Sequence, residues 1–351
     1  MNFSRQITDW YRQNKRELPW RQTSNPYYIW LSEIILQQTR VNQGMNYYLK
    51  FVDHYPTINE LANADEQEVL NDWQGLGYYS RARNLHATAK LIHSKYNGDF
   101  PKTHEEILTL KGVGSYTAAA IASFAYNLPH AVVDGNVYRV LSRVFDINLP
   151  IDSNEGQKTF AQIANELLDK ENPSLHNQAI MEFGALQCTP STPNCLDCPF
   201  QQECLALKNG SITQRPVKKG KTKIRNRYFH YFHFNTGKET ILQKRTEKDI
   251  WQHLYEFPKI EFDKEQDYEI IKQYIKDNYN VTPISHSIQK KHILSHQHIY
   301  CIFWEFDSIP SKLNQEWELI NTINFNNYPI PRAIDRYLEE KDKSKQHRLE
   351  I

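Results

Sequence analysis

LKGVGSYTAAAIASFAYNLPHAVVDGNV, residues Leu110 to Val137, decides how the first half of the chain is read. Leu110-Lys111-Gly112-Val113-Gly114 is a two-glycine turn that opens a helix of small residues from Ser115. Glycines let a backbone pass close to a phosphate, and the free N–H groups of the following helix start offer it hydrogen bonds. Gly112, Gly114 and Ser115 are therefore candidate phosphate contacts, although a tight interhelical turn accounts for the same residues equally well. Twenty residues after Gly114 stands Asp134, in Val132-Val133-Asp134-Gly135-Asn136-Val137, where it reads as the N-cap of the next helix. Backbone donors and the helix dipole are expected to hold that carboxylate ionised.

Working outward, the chain up to about residue 208 is a succession of helical patterns broken at Pro56, Gly75, Gly98-Asp99, Pro129 and Pro173, with no period-two alternation. Roughly ten helices are predicted. Residues 205–227 hold eight Lys or Arg and no acid, with Gly210, Pro216 and Gly220 as breakers, and read as a basic linker that is either inert or tracks phosphates. From Tyr228 the texture changes to aromatic and β-branched runs such as YFHYFHF and IYCIFWEF, which are strand signals. Helical patterns at Asp267 to Tyr279 and Arg332 to Glu340 make this second part α+β. The predicted divisions are 1–208, a linker over 209–227, a second domain over 228–340 and a flexible tail over 341–351.

With 351 residues, 40% of them hydrophobic, the chain can build two cored domains. Lys and Arg number 42 against 41 Asp and Glu, so any attraction to nucleic acid must be local. Gly112 to Val133 lacks Asp, Glu, Lys and Arg but contains Gly, Asn, Pro129 and His130, which argues against a membrane span. The first residues have Asp9 and no apolar core of a signal peptide. A reducing compartment is expected from the cysteines, because four of the five lie between 188 and 204 rather than spread as a disulfide framework.

Those four, Cys188, Cys195, Cys198 and Cys204, are separated by six, two and five residues. Thiolates drawn into so short a loop can wrap one soft metal centre, a tetrahedral zinc or a four-iron cluster. Cys301 stands alone in a predicted strand as a small buried hydrophobe. The other chemical signal is Trp30-Leu31-Ser32-Glu33-Ile34-Ile35-Leu36-Gln37-Gln38-Thr39-Arg40. An acid inside an apolar helical run is costly to bury ionised, so Glu33 is either exposed or a carboxyl of raised pKa able to donate a proton.

Together these motifs resemble the endonuclease III superfamily of DNA glycosylases, and Trp30–Thr39 is similar to the motif that carries the catalytic glutamate of its MutY-type adenine DNA glycosylases. Leu18-Pro19-Trp20 and Gly75-Leu76-Gly77-Tyr78-Tyr79-Ser80-Arg81-Ala82-Arg83 extend the likeness. It is close over residues 1–208 and looser beyond. The resemblance implies a mainly α helix-hairpin-helix domain closed by a [4Fe-4S] cluster on the four cysteines, and a smaller α+β Nudix-like domain. It implies Glu33 as proton donor, Asp134 as partner of the developing cation, and Tyr116 and Asn136 as supporting groups. Gln38, Tyr78 and Arg81 are implied as DNA contacts, the first two at the opened base stack. The partner is double-stranded DNA with adenine opposite 8-oxoguanine or guanine, met by a monomer in a bacterial cytoplasm.

Endonuclease III places its Schiff-base lysine where this chain has Tyr116. A phenol cannot form that base, so the resemblance favours a monofunctional glycosylase over a glycosylase/lyase for oxidised pyrimidines. A noncatalytic DNA-binding protein with structural zinc is the third reading, and the retained Glu33 and Asp134 oppose it. In the second domain, Leu294-Ser295-His296 is similar to the family's lesion-reading Phe-Ser-His, with Leu294 in place of the aromatic. Gln252 and His253 stand where the family has glycines in Trp251–Pro258. There is no Glu-rich Nudix box, so nucleotide hydrolysis is not expected.

Overall fold

The computed structural model describes residues 2–220 and 223–349. Twelve α-helices precede Asn209 among them: α1 (Phe3–Asn14), α2 (Pro26–Leu36), α3 (Val41–His54), α4 (Ile58–Asn63), α5 (Glu66–Asp72), α6 (Ser80–Tyr96), α7 (His104–Leu108), α8 (Ser115–Tyr126), α9 (Gly135–Val144), α10 (Asn154–Leu167), α11 (Pro173–Leu186) and α12 (Leu205–Lys208). Local chemistry fixes many of their starts. Asn25 caps α2 ahead of Pro26, and Thr103 and Glu106 form a reciprocal capping box on α7. None of the described helices is long and apolar enough to cross a membrane.

The chain divides into two compact units, one formed by residues up to Asn63 with Asn84–Gly220, the other by Ala64–Arg83 with the chain after Gly220. In the first unit α1, α9 and α11 enclose a core in which Phe3 stacks on Phe200 at 5.0 Å and Trp10 meets Phe183 edge-on at 5.0 Å. Phe200 and Cys204 belong to this core, so the cysteine loop is part of the packing rather than an appendage. Emptying the Phe200 site by truncation to Ala would cost roughly 3–5 kcal/mol. Helix α2 is apolar nearly all round and buried from Ile29 to Ile35, and it packs on the small-residue helix α8.

The second unit holds β1 (Arg225–Phe234), β2 (Glu239–Lys244), β3 (Tyr255–Glu256), β4 (Lys259–Phe262), β5 (Ser285–His286), β6 (Lys290–Ile293), β7 (Gln297–Phe306) and β8 (Trp317–Asn321), with α13 (Tyr268–Tyr279) and α14 (Arg332–Leu349). One sheet runs β4-β1-β7-β5 with β6 also on β7, and the other runs β3-β2-β8. β1 and β7 pair in parallel, Arg225 opposite Gln297 through Phe234 opposite Phe306. Both carry continuous apolar runs because both faces are covered, by α13 through Phe232, Phe234 and Trp304, and by α14, where Tyr337 stacks on Phe303 at 4.0 Å. Cys301 is buried in β7, 1% exposed.

Three boundaries differ from the sequence reading. β1 begins at Arg225, inside the expected linker, because Arg225 N–H bonds the His296 carbonyl and Arg227 is buried against Asp249 and Glu261. α14 continues to Leu349 through the expected tail, whose Lys, Gln, Arg and Leu are good helix formers. Residues 64–83, expected within the first domain, pack with the second.

Candidate active site

Glu33 is the eighth residue of α2, an element buried on nearly every side, and is itself 7% exposed. Burial pushes its carboxyl up to about 7. The Tyr116 hydroxyl, which donates to Glu33, opposes that rise, and the Asp134 carboxylate adds to it. At neutral pH about half of the molecules therefore hold a proton there, the condition for a general acid. The buried alternative is the one the structure adopts.

Tyr116 is delivered by the hairpin. Gly112 has φ +80°, and a Cβ there would stand 2.8 Å from Asn84 Cβ, so the turn demands glycine. Gly114 is different: its backbone is extended, it precedes α8 as the N-cap, and an added Cβ would meet nothing within 4 Å. Gly112, Gly114 and Ser115 are all exposed. The fold thus explains the first glycine and leaves an open approach to the backbone at the second.

Asp134 caps α9, accepting from Val137 N–H at 2.8 Å through Oδ1 and from Asn136 Nδ2 at 2.7 Å through Oδ2. The cap is as expected, but its electrostatic outcome is not. Burial raises the Asp134 pKa, and the Val137 and Asn136 donors, with the nearby Arg139 charge, oppose that rise without reversing it. Asn136 is itself fixed from behind: Arg139 Nη2 donates to its Oδ1 at 2.8 Å and to the Gly184 carbonyl at 2.6 Å. A Cβ on Gly184 would lie 2.6 Å from Asn136 Cβ, so glycine lets α11 approach this side of α9.

Glu33, Tyr116, Asp134 and Asn136 line one cavity of about 540 Å³, large enough for a planar base. The sequence reading missed three supporting groups. Glu182, 1% exposed, lines the same cavity. Burial pushes its carboxyl up, yet Arg16 and Arg21, at 2.6 and 2.8 Å, outweigh it and hold it at about 2. Asn177 bonds Val132 N–H at 3.0 Å, the His130 carbonyl at 2.8 Å and Ser123 Oγ at 2.9 Å, shaping the strand-like approach to Asp134. Arg139 is the third. Acids and amides at helical spacing in α11 were the only signal, and it is a weak one.

The four cysteines line a second, small cavity with Arg143, which is 2% exposed. Its guanidinium donates to the Thr189 carbonyl at 2.7 Å, the Pro190 carbonyl at 2.9 Å and Cys188 Sγ at 3.5 Å. All four thiols are free, and three of them, Cys195, Cys198 and Cys204, are raised in pKa by burial first and by the other cysteines after it. Among the described residues no group of three or more His, Cys, Asp or Glu stands in metal-holding geometry. The donor set nevertheless fits a soft, thiolate-loving centre: four sulfurs on one cavity, beside a buried cation. Arg139 Nε also donates to the Cys188 carbonyl at 2.7 Å, joining this loop to Asn136.

The remaining candidates lie elsewhere. Gln38 is exposed with φ +55°. In the second unit Tyr78 is 47% exposed with φ +49°. Arg81, expected to reach DNA, is 9% exposed and its guanidinium lies 5.1 Å from the Trp73 ring and 5.6 Å from the Tyr78 ring. It supports the Tyr78 loop, donating to the Gly77 carbonyl at 3.1 Å. Leu294, Ser295 and His296 form the turn between β6 and β7, closed by Leu294 N–H on the Gln297 carbonyl at 2.8 Å, with Ser295 and His296 exposed and Leu294 half-buried. His253 takes φ +68° despite its Cβ, accounting for the glycine usual at that place.

Residues 31–168 match the family model of the HhH-GPD superfamily base excision DNA repair proteins, and residues 230–340 match that of the NUDIX domain. An adenine DNA glycosylase of Buchnera aphidicola (subspecies Baizongia pistaciae) is 36% identical, over 92% of this chain and 87% of its own. That of Homo sapiens is 40% identical over 61% of this chain and 42% of its own. Among solved structures, a thermostable thymine-DNA glycosylase superposes with a TM-score of 0.55 at 30% identity, covering 59% of this chain and 95% of that one. An endonuclease III–DNA complex, at 23% identity and a TM-score of 0.52, shares the fold over 59% of this chain and 94% of its own. With a buried acid from an apolar helix, a tyrosine set by a glycine hairpin and a capped aspartate around one cavity, and with likeness along nearly its whole length to two Buchnera aphidicola members, the chain belongs to the adenine DNA glycosylase family.

Proposed function

We propose that this DNA glycosylase removes adenine mispaired with 8-oxoguanine, or with guanine, by hydrolysis without strand cleavage. The observation that carries the reading is the cavity in which a carboxyl raised to about 7, Glu33, and a helix-capping carboxyl, Asp134, occur together with Tyr116 and Asn136. Adenine flipped into that cavity would receive the Glu33 proton at N7. The C1′–N9 bond would then break with its electron pair on the base, which leaves neutral. Asp134 would face the oxocarbenium-like C1′, and water would add there, returning a proton to Glu33. No lysine stands among the described lining residues, which supports hydrolysis over lyase chemistry.

Cys188, Cys195, Cys198 and Cys204 would hold a [4Fe-4S] cluster, which when bound supplies an inorganic cross-link for the loop. Equimolar iron and sulfide in the purified protein, lost in Cys198→Ser, checks this; zinc in their place refutes it. Since the excised adenine is undamaged, the lesion must be read opposite it, and the exposed Leu294-Ser295-His296 turn suits that task. Gln38 and Tyr78, exposed with left-handed backbones, would enter or support the opened stack, while Gly114 and Ser115 meet a phosphate. A monomer in a bacterial cytoplasm completes the reading.

Single-turnover release from duplexes with adenine opposite 8-oxoguanine, adenine opposite guanine, and thymine glycol opposite adenine tests it. Adenine release from the first two, with breaks only after hot alkali, is expected. Direct cleavage at thymine glycol would overturn the reading.

A further inference from the structure

Tyr78 stands on a loop whose backbone is held in unusual conformations. Gly75, Gly77 and Tyr78 have φ of +91°, +81° and +49°, so three of four consecutive residues are left-handed, one of them carrying a ring. Side chains of the same segment brace it. Trp73 Nε1 donates to the Gly77 carbonyl at 2.9 Å and Arg81 Nη2 to the same oxygen at 3.1 Å.

The second brace comes from the lesion-reading domain. Ile330, 3% exposed, grips the loop with both backbone groups: its N–H donates to Gln74 Oε1 at 3.1 Å, and its carbonyl accepts from the Tyr79 hydroxyl at 3.4 Å. The same hydroxyl accepts from Gly75 N–H at 3.2 Å. Around this clasp, Gln67 and Asn71 donate to the Asn327 and Asn326 carbonyls at 2.7 and 3.1 Å, Arg83 donates to the Gln252 carbonyl at 2.7 Å, and His253 Nδ1 meets Glu66 Oε1 at 2.5 Å. Ile330 leads into α14, whose Tyr337 stacks on β7, the strand that leaves the Leu294–His296 turn.

We propose that the Ile330 clasp sets the position of Tyr78, making Gln74 and Tyr79 specificity-determining positioning residues for reading the base opposite the excised adenine. The proposal rests on the reading of Tyr78 as a stack-entering residue given above. A residue that enters the stack beside the lesion must be registered against the groups that recognise it. Here both belong to one compact unit, although Tyr78 lies over two hundred positions earlier in the chain. The residues that perform the excision lie in the other unit.

The test uses the full-length protein and duplexes with 2-aminopurine next to the 8-oxoguanine or guanine. Tyr79→Phe keeps the buried ring and deletes only the shared hydroxyl; Gln74→Ala deletes the other half of the clasp. Each should narrow the preference for 8-oxoguanine over guanine about fivefold to tenfold, the worth of one lost hydrogen bond. The rate opposite guanine should stay within about twofold, and the 2-aminopurine signal should move toward that of Tyr78→Ala. Wild-type preference and fluorescence in both variants, with Tyr78→Ala altered, would overturn the proposal, as would equal losses on both duplexes. Wild-type behaviour of Tyr78→Ala would refute the stack-entering role itself.

Discussion

Replacing Glu33 by Gln should stabilise this protein at neutral pH while abolishing excision, and the size of the gain follows from the burial of the carboxyl. Its folded-state pKa is about 7 against an ordinary 4.5. A raised folded value means that the unfolded chain gives up its proton first, so the group's favourable contribution is complete below 4.5 and disappears as pH climbs to 7. At about 1.36 kcal/mol for each tenfold change in proton affinity, the gap between about 7 and 4.5 is worth about 3 kcal/mol. The amide cannot ionise and escapes this loss. Urea unfolding of wild type and E33Q at intervals from pH 4 to pH 8 confines the difference to Glu33 and the Asp134 carboxyl coupled to it. The stability difference should swing by about 3 kcal/mol in favour of E33Q across that range. A difference constant to within about 1 kcal/mol would show that Glu33 is ionised when folded, and would remove the basis for its role as acid.

The single-turnover rate should decline above pH 7 by about tenfold per unit as Glu33 loses its proton, and should also decline at low pH as Asp134 gains one; a flat profile refutes the pairing. Gly114→Ala should unfold like wild type yet bind duplex DNA at least tenfold more weakly, whereas Gly112→Ala should cost more than about 1 kcal/mol of stability, because only the second Cβ has a neighbour to strike. Comparable stabilities would contradict the geometry. Asn177→Ala should cost about 1–3 kcal/mol and slow excision by leaving Val132 N–H and the His130 carbonyl unpaired, as unfolding and rate measurements would reveal. His253→Gly, which relieves a left-handed Cβ but breaks the contact with Glu66, should leave stability within about 1 kcal/mol of wild type; a larger loss would mark that contact as a major support.

The helical unit was legible because its signals are local. Breakers such as Pro129, the cap at Asp134 and the apolar run of α2 each act within a few residues. The same holds for Glu33, Tyr116 and Asp134, whose motifs are short. What escaped the sequence depends on distant partners. Glu182 reads as an ordinary helical acid until Arg16 and Arg21 arrive from 160 positions away. Arg81 is implied only as a DNA contact, and its packing on the Trp73 and Tyr78 rings is nothing that its own motif singles out. The sign of the Asp134 shift also lay beyond reach, since the cap is written in Val137 but the burial that outweighs it comes from the whole cavity. The parallel pairing of β1 with β7 joins residues 72 positions apart and leaves no periodic trace, because both strands are covered on both faces.

The excursion of residues 64–83 has a practical corollary for dissecting the molecule. A cut in the basic segment near Gly220 severs the covalent connection once but does not produce two self-sufficient halves. The amino-terminal fragment would keep Gln67, Asn71, Gln74 and Tyr79 while losing the Asn326, Asn327 and Ile330 backbone groups they bond, together with the cover over Tyr79, now only 4% exposed. Its residual activity would therefore measure two losses at once, and complementation by the separately expressed carboxy-terminal fragment would distinguish them.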